Sequence, residues 1–198
     1  MSSEFWDVRY SDSEYAYGTQ PNVYFKSFID SNPPGKIFLP GEGEGRNAVY
    51  AALKGWEVYA VDQSRAGMDK AKKLAEINNV NIDYQVLDLS SFEPDMDAYD
   101  AIALIFLHLP PRVREGIHQK LTSMLKPGGL IMIEAFSKAQ LGRNTGGPPV
   151  LEMLYDGEVL RNDFSDLNIL ELYETTEEYT EGPYHQGEAA VIRMIAGK

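Results

Sequence analysis

Ile37-Phe38-Leu39-Pro40-Gly41-Glu42-Gly43-Glu44-Gly45-Arg46-Asn47-Ala48 is the stretch on which the fold of this chain turns. A short apolar run meets three glycines at alternate positions, and a helix-forming segment follows. Glycine lets a backbone turn sharply and pass close to a ligand, because no Cβ stands in the way. The next strand-like run, Glu57-Val58-Tyr59-Ala60-Val61-Asp62, ends in an acid 21 residues after Gly41. A carboxylate so placed can accept hydrogen bonds from both hydroxyls of a ribose. The two stretches together predict a site for a nucleoside-bearing cofactor.

Outward from this point the pattern alternates between strands and helices. Ile37–Leu39 reads as a short buried strand. Asn47–Lys54 reads as a helix with Ala48, Val49, Ala52 and Leu53 on one face and Gly55 as its stop. Ser64 can cap a helix running to about Asn78, with Met68, Ala71 and Ala75 at helical spacing. Ile82–Leu87 is the third strand. The run Ala101-Ile102-Ala103-Leu104-Ile105-Phe106-Leu107 suits a central parallel strand covered on both faces. Pro110-Pro111 starts a helix whose buried face is Val113, Ile117, Leu121 and Leu125. Lys126-Pro127-Gly128-Gly129 reads as a turn before the strand Leu130–Phe136.

The rhythm then changes. Residues 137–149 read as a Gly/Pro/Asn loop and Val150–Leu160 as a helix. Strands near Asn168–Thr176 and Ala189–Ala196, joined through Thr180–Gly187, pair antiparallel. The expected architecture is α/β: a three-layer sandwich around a Rossmann-like, mostly parallel seven-stranded sheet with a C-terminal antiparallel hairpin. Its ligand should lie at the carboxyl ends of the first strands, where strand order reverses. We expect one domain over residues 1–198: an N-terminal lid and acceptor segment (1–35), a cofactor-binding core (36–136), and a loop, helix and hairpin (137–198). The N-terminal segment is aromatic and polar, and it ends at the breaker Asn32-Pro33-Pro34-Gly35.

Composition narrows the function classes. A hydrophobic content of 43% in 198 residues is that of an ordinary folded domain, which argues against disorder. The net charge of −12 argues against nucleic acid or an anionic membrane as partner. The absence of cysteine excludes disulfides, thiolate metal sites and a cysteine nucleophile. His108, His118 and His185 lack metal-ligand spacing, so no metal site is expected. The start, Met1-Ser2-Ser3-Glu4, carries no signal-peptide features, and no apolar stretch is long enough to span a bilayer. The expected location is the cytoplasm.

Gly41-x-Gly43-x-Gly45 differs from the dinucleotide spacing Gly-x-Gly-x-x-Gly, with Arg46 standing where the third glycine would be. Three glycines in five positions resemble the first motif of class I S-adenosylmethionine-dependent methyltransferases. Asp62 matches that family's ribose-holding acid, and Asp88, in Val86-Leu87-Asp88-Leu89, its adenine-reading acid. Asp100 opens the family's fourth motif, and Leu125-Lys126-Pro127-Gly128-Gly129-Leu130 resembles its turn before strand five. Phe5-Trp6-Asp7-x-Arg9-Tyr10 and Tyr17-Gly18-Thr19-Gln20-Pro21-Asn22 are similar to the small tellurite-resistance or thiopurine-methyltransferase-like enzymes, as is Glu181-Gly182-x-x-His185-x-Gly187. One departure stands out. The family usually carries an acid two residues before the first glycine, where this chain has Leu39; Glu42 or Asp62 would substitute.

The resemblance implies S-adenosyl-L-methionine as cofactor, with Trp6, Tyr17, Gly41, Glu42, Gly43, Gly45, Asp62, Gln63, Asp88, Leu89 and Ile105 binding it. It implies methyl transfer to a small-molecule acceptor, with a thiol or metalloid compound as the expected class. His108 and His185 are candidates for a base near the acceptor, and His118 reads as structural or exposed. Simpler readings stand beside these: Asp62 as a helix cap next to Ser64, Asp88 as a cap before Ser90-Ser91, Trp6 as core. Two rival functions are a nicotinamide-dependent oxidoreductase and a catalytically silent S-adenosylmethionine-binding module.

Overall fold

The computed structural model describes residues 2–198; Met1, part of the start read as lacking a leader, lies outside them. The chain divides into two compact units. One comprises Met1–Phe92 with Glu181–Tyr184, the other Glu93–Thr180 with His185–Lys198.

The first unit begins with two helices, α1 (Ser3–Tyr10) and α2 (Val23–Ser31). The sequence pattern alone does not reveal them. The α1 helix has no apolar stripe and buries only Tyr10, and its N-terminus is capped by Ser2, which accepts from the Phe5 amide. The α2 helix is capped by Asn22 and buries Phe25, Phe28 and Ile29. Then come β1 (Lys36–Pro40), α3 (Arg46–Leu53), β2 (Glu57–Asp62), α4 (Arg65–Ile77) and β3 (Asp83–Val86). β1 pairs parallel with β2, and β2 with β3. Ser64 caps α4 as its position suggests, accepting from the Gly67 amide at 3.0 Å. Val49, Leu74 and Ala75 form a small core with Tyr15, Val80 and Ile82 packed against it.

The second unit holds β4 (Tyr99–Ile105), α5 (Pro111–Met124), β5 (Leu125–Phe136), α6 (Gly157–Asp163), β6 (Asn168–Glu181) and β7 (His185–Gly197). β4 and β5 are parallel, and β5 and β7 antiparallel. The expected turn at Lys126–Gly129 is absorbed into β5. The register shifts between Tyr99 and Ala101, and Gly128 takes a φ of 81°. The helix expected over Val150–Leu160 is instead a 3-10 turn at Leu151–Met153 followed by α6, because Asp156 caps the later start by accepting from the Val159 amide at 2.8 Å. The terminal strands run longer than expected, and only Gly182–Tyr184 separates them. His118 is fully buried in α5. Its ring stacks on Phe164 and bonds Asp163, which also receives Arg114.

All seven strands form one sheet in the order β3-β2-β1-β4-β5-β7-β6. This is the expected α/β, mostly parallel sheet with an antiparallel C-terminal end. Among the described residues no helix is long and apolar enough to cross a membrane.

Candidate functional site

The glycine loop is the link from β1 to α3. Its backbone is pinned to the end of β2, where the amides of Gly41 and Glu42 both donate to the Val61 carbonyl, at 2.8 and 3.2 Å. Gly43 and Gly45 are required there. Gly43 has a φ of 64°, and a Cβ on it would stand 2.7 Å from the Tyr10 hydroxyl. Gly45 has a φ of 86°, and a Cβ would stand 2.5 Å from Ala71 Cβ in α4. A side chain at either place would be strained in the left-handed region and would push a helix away.

Asp62, at the end of β2, is buried. Its Oδ2 accepts from the Gly43 amide at 3.0 Å and its Oδ1 from the Ser64 amide at 2.8 Å. Burial raises its carboxyl to about 6, against the pull of those amides. The Gln63 amide bonds the group as well, so three backbone amides orient it and one of its four lone pairs is left for a hydroxyl. The cap role at Ser64 and a ligand role are compatible. Glu42 is half-buried inside the loop, and its Oε1 accepts from the Ala48 amide at 2.7 Å at the start of α3. Burial pushes its carboxyl up to about 8. Leu39 is fully core, so the position that usually carries an acid offers none.

The other loop side chains turn to the N-terminal segment, a use their sequence positions do not announce. The Glu44 carboxylate accepts from the Ala16 amide at 2.7 Å and faces the Lys70 ammonium at 2.5 Å. Arg46 donates to the Tyr17 carbonyl at 3.2 Å and to the Glu181 carboxylate at 2.9 Å. Asn47 Oδ1 accepts from the Asn22 amide at 2.9 Å. Asp7 completes the cover from α1. It accepts from the Ser64 hydroxyl at 2.6 Å and the Ala66 amide at 3.0 Å, adding a second cap to α4 and holding its own carboxyl below the usual range. Trp6 stacks on Tyr10, 5.5 Å between ring centroids. Tyr84 closes the far side, donating to the Gly43 carbonyl at 2.6 Å.

The remaining expected residues of the first unit are more open. Gln63 and Leu89 are half-buried; Asp88 is exposed and caps its turn by accepting from the Ser90 amide at 2.8 Å. The structure therefore brings Tyr17, Gly41, Glu42, Gly43, Gly45 and Asp62 together through the bonds above. Asp88 and Leu89 follow β3.

The second unit carries the other candidates. Ile105 is half-buried at the end of β4. Phe106, just after it, is held at a φ of 53°, a strained value for an aromatic residue. Its ring stacks on Phe136 at 4.6 Å and meets His185 edge-on at 4.6 Å. His185 is buried, also edge-on to Phe136 and near Tyr179. His108 gives both ring nitrogens to the backbone: Nδ1–H donates to the Met153 carbonyl at 2.7 Å, and Nε2 accepts from the Phe136 amide at 3.2 Å. Burial lowers its pKa to about 4. It therefore stays neutral and has no lone pair left for proton transfer. A deeper pair lies beside this cluster. Fully buried Glu134 on β5 accepts from the Tyr179 hydroxyl at 3.0 Å and from Arg193 Nε at 2.5 Å. Among the described residues no group of three His, Asp or Glu side chains is arranged to hold a metal ion.

The methyltransferase domain family matches residues 39–129, from the end of β1 through the glycine loop and Asp62 to the start of the β5 core. Two curated relatives of this chain are methyltransferases. A 2-heptyl-1-hydroxyquinolin-4(1H)-one methyltransferase from Mycobacteroides abscessus is 29% identical over 137 residues, covering 67% of this chain and 60% of that protein. A tRNA (uracil(54)-C(5))-methyltransferase from Pyrococcus furiosus is 28% identical over 159 residues, covering 64% of this chain and 37% of that protein. The chain thus spans less than two thirds of either relative's length. A 1,6-didemethyltoxoflavin-N1-methyltransferase from Burkholderia thailandensis, solved with bound 1,6-didemethyltoxoflavin and S-adenosylhomocysteine, superimposes with a TM-score of 0.70 at 15% identity. The match covers 99% of this chain and 86% of that one. The two proteins share a fold over nearly the whole of this chain.

Proposed function

We propose that this protein transfers a methyl group from S-adenosyl-L-methionine to a small-molecule acceptor. The observation that carries the reading is the pairing of Asp62 with the glycine loop. A buried carboxylate at the end of β2 is fixed by the amide of Gly43, the residue whose missing Cβ makes room for the Tyr10 ring. These residues suit a ribose and a methionine tail. In this reading Asp62 holds the ribose, Asp88 and Leu89 the adenine, and Gly41, Gly43 and Gly45 pass beneath the methionine part. Glu42 takes the ammonium that an acid at position 39 would hold, with Gln63, Trp6, Tyr17 and Ile105 as further cofactor contacts.

Bound S-adenosylmethionine would supply a methyl group on a cationic sulfonium, already activated for direct displacement. What the chain must add is orientation and exclusion of water. The helix α1, latched through Asp7 and Tyr10, fits that task. Proton handling is a small demand for a soft acceptor, so the occupied nitrogens of His108 do not weaken the reading; His185 remains the one histidine proposed near the acceptor. The thiol or metalloid class rests on the N-terminal motif resemblance. The quinolone-acting relative supports a small acceptor, and the net charge of −12 weighs against tRNA.

Calorimetric titration with S-adenosylmethionine, S-adenosylhomocysteine and NAD tests the proposal. Micromolar binding of the first two and none of NAD is expected. Binding of NAD alone would point to the oxidoreductase. Binding of S-adenosylmethionine with no product from an acceptor panel that includes thiols, selenite, tellurite, hydroxyquinolones and tRNA would point to a silent binding module.

A further inference from the structure

Four part-buried or buried arginines, Arg46, Arg114, Arg143 and Arg193, each face a carboxylate. Arg9 is also part-buried, yet among the described residues no carboxylate pairs with it. Its guanidinium lies 3.7 Å from the centre of the Tyr184 ring and 5.2 Å from that of Phe5. A single hydrogen bond leaves it, from Nη1 to the Tyr17 hydroxyl at 3.3 Å. The other donors of the fork have no protein acceptor among the described residues. Phe5 and Tyr184 are 41% and 46% exposed, so the cation sits within an open aromatic rim.

The location ties this rim to the glycine loop. Tyr17, which receives the Arg9 bond, has its carbonyl held by Arg46, and Ala16 before it has its amide held by Glu44. The next residue after Arg9 is Tyr10, which packs on Gly43. In a chain of net charge −12, a local cation left uncancelled is what an anionic ligand would need in order to approach. A planar fork with flanking rings suits one class best, an aromatic carboxylate, with the fork taking the oxygens and the rings taking the aryl face.

We propose that Arg9, framed by Phe5, Tyr17 and Tyr184, is a recognition site for the carboxylate of a planar aromatic acceptor. This rests on the methyltransferase reading and deepens it by giving the acceptor a charge and a shape. Arg9 would set specificity at the end of the acceptor away from the reacting atom.

The test uses benzoate and its neutral counterpart benzamide as probes. They are titrated by NMR into the full-length protein, with and without saturating S-adenosylhomocysteine, for wild type and Arg9→Met. Wild type should bind benzoate at least about tenfold more tightly than benzamide, the size expected for hydrogen bonds to a charged group. Arg9→Met, shown folded by its thermal transition, should bind the two alike. Equal binding of the two probes by wild type, no binding of either, or a benzoate preference that survives in Arg9→Met would overturn the proposal. If Arg9→Met fails to fold, Arg9→Lys keeps the charge over the rings but loses the fork; a preference cut severalfold supports the site and a full preference overturns it. Failure of S-adenosylhomocysteine to bind wild type would instead strike the methyltransferase reading, while the ligand-free titrations still decide the Arg9 site.

Discussion

The Arg46 guanidinium and the Glu181 carboxylate meet at 2.9 Å, both side chains nearly buried, although 135 positions separate them in the chain. Arg46 opens the helix after the glycine loop, and Glu181 stands at the tip of the terminal hairpin. Asn22, which caps α2, joins them by donating to the other Glu181 oxygen at 3.3 Å. One ion pair thus fastens the N-terminal segment and the hairpin tip to the loop.

Breaking that pair from one side should be expensive. Glu181→Gln keeps the shape and strands the Arg46 charge. We expect a loss of about 2–4 kcal/mol, toward the lower end of the range for removing one member of a buried pair because some water reaches this one. Urea unfolding of the variant beside wild type reads it directly. A change under about 0.5 kcal/mol would mean the pair is solvated.

Gly43→Ala places a methyl group against the Tyr10 hydroxyl at a φ of 64°. Left-handed strain and the displaced ring together should cost about 2–4 kcal/mol. If Tyr10 is the obstacle, Tyr10→Phe should recover part of the loss in the double variant, and a thermodynamic cycle over the four proteins measures how much.

The Glu42 carboxyl, raised to about 8, binds its proton more tightly in the folded protein than in the unfolded chain. The folded state therefore holds the extra proton between the ordinary glutamate range and about 8, and stability from this group falls as pH rises through that window. Glu42→Gln keeps an acceptor for the Ala48 amide and removes the titration. Its melting temperature, measured from pH 5 to pH 9 without ligand, should gain on wild type as pH rises. Parallel curves would show that Glu42 is ionised throughout.

His108 obeys the opposite sign. Its pKa of about 4 lies below the unfolded value, so its contribution is complete above about pH 6.5 and fades as pH falls toward 4. Nitrogen NMR should show a neutral ring with the proton on Nδ1 down to about pH 5. An imidazolium signal at pH 6 would contradict the assignment of both ring nitrogens to the backbone.

How much of this was legible in the sequence depends on range. The strands β1 to β5 and the helices α3 to α5 follow from apolar periodicity and from local punctuation at Gly55, Ser64 and Pro110-Pro111. The glycine loop and Asp62 are legible for the same reason, since a turn that needs left-handed residues admits few substitutes. The α1 helix escapes because its partners, Ser64, Ala66 and Gly43, lie more than thirty residues away and leave it no stripe of its own. Its capping Ser2, and Asn22 before α2, are the signals that were available. The α6 start is hidden because its cap, Asp156, stands inside the stretch that reads as one helix. The uses of Glu44, Arg46 and Asn47 are long-range and acceptor-specific, so nothing in their spacing marks them. His108 shows the limit from the other side: its position after β4 suggests chemistry, and only the amide of Phe136 and the carbonyl of Met153 reveal that it is a strut.

The most direct test of the central claim compares S-adenosylhomocysteine binding by wild type and Asp62→Ala in one calorimetric series, with Glu158→Gln, an exposed position on α6, as a folded control. Losing the ribose hydrogen bond to a buried carboxylate should weaken binding at least about tenfold. Binding that is unchanged in Asp62→Ala would contradict the account, because the ligand would then not be held where the glycine loop and the end of β2 meet.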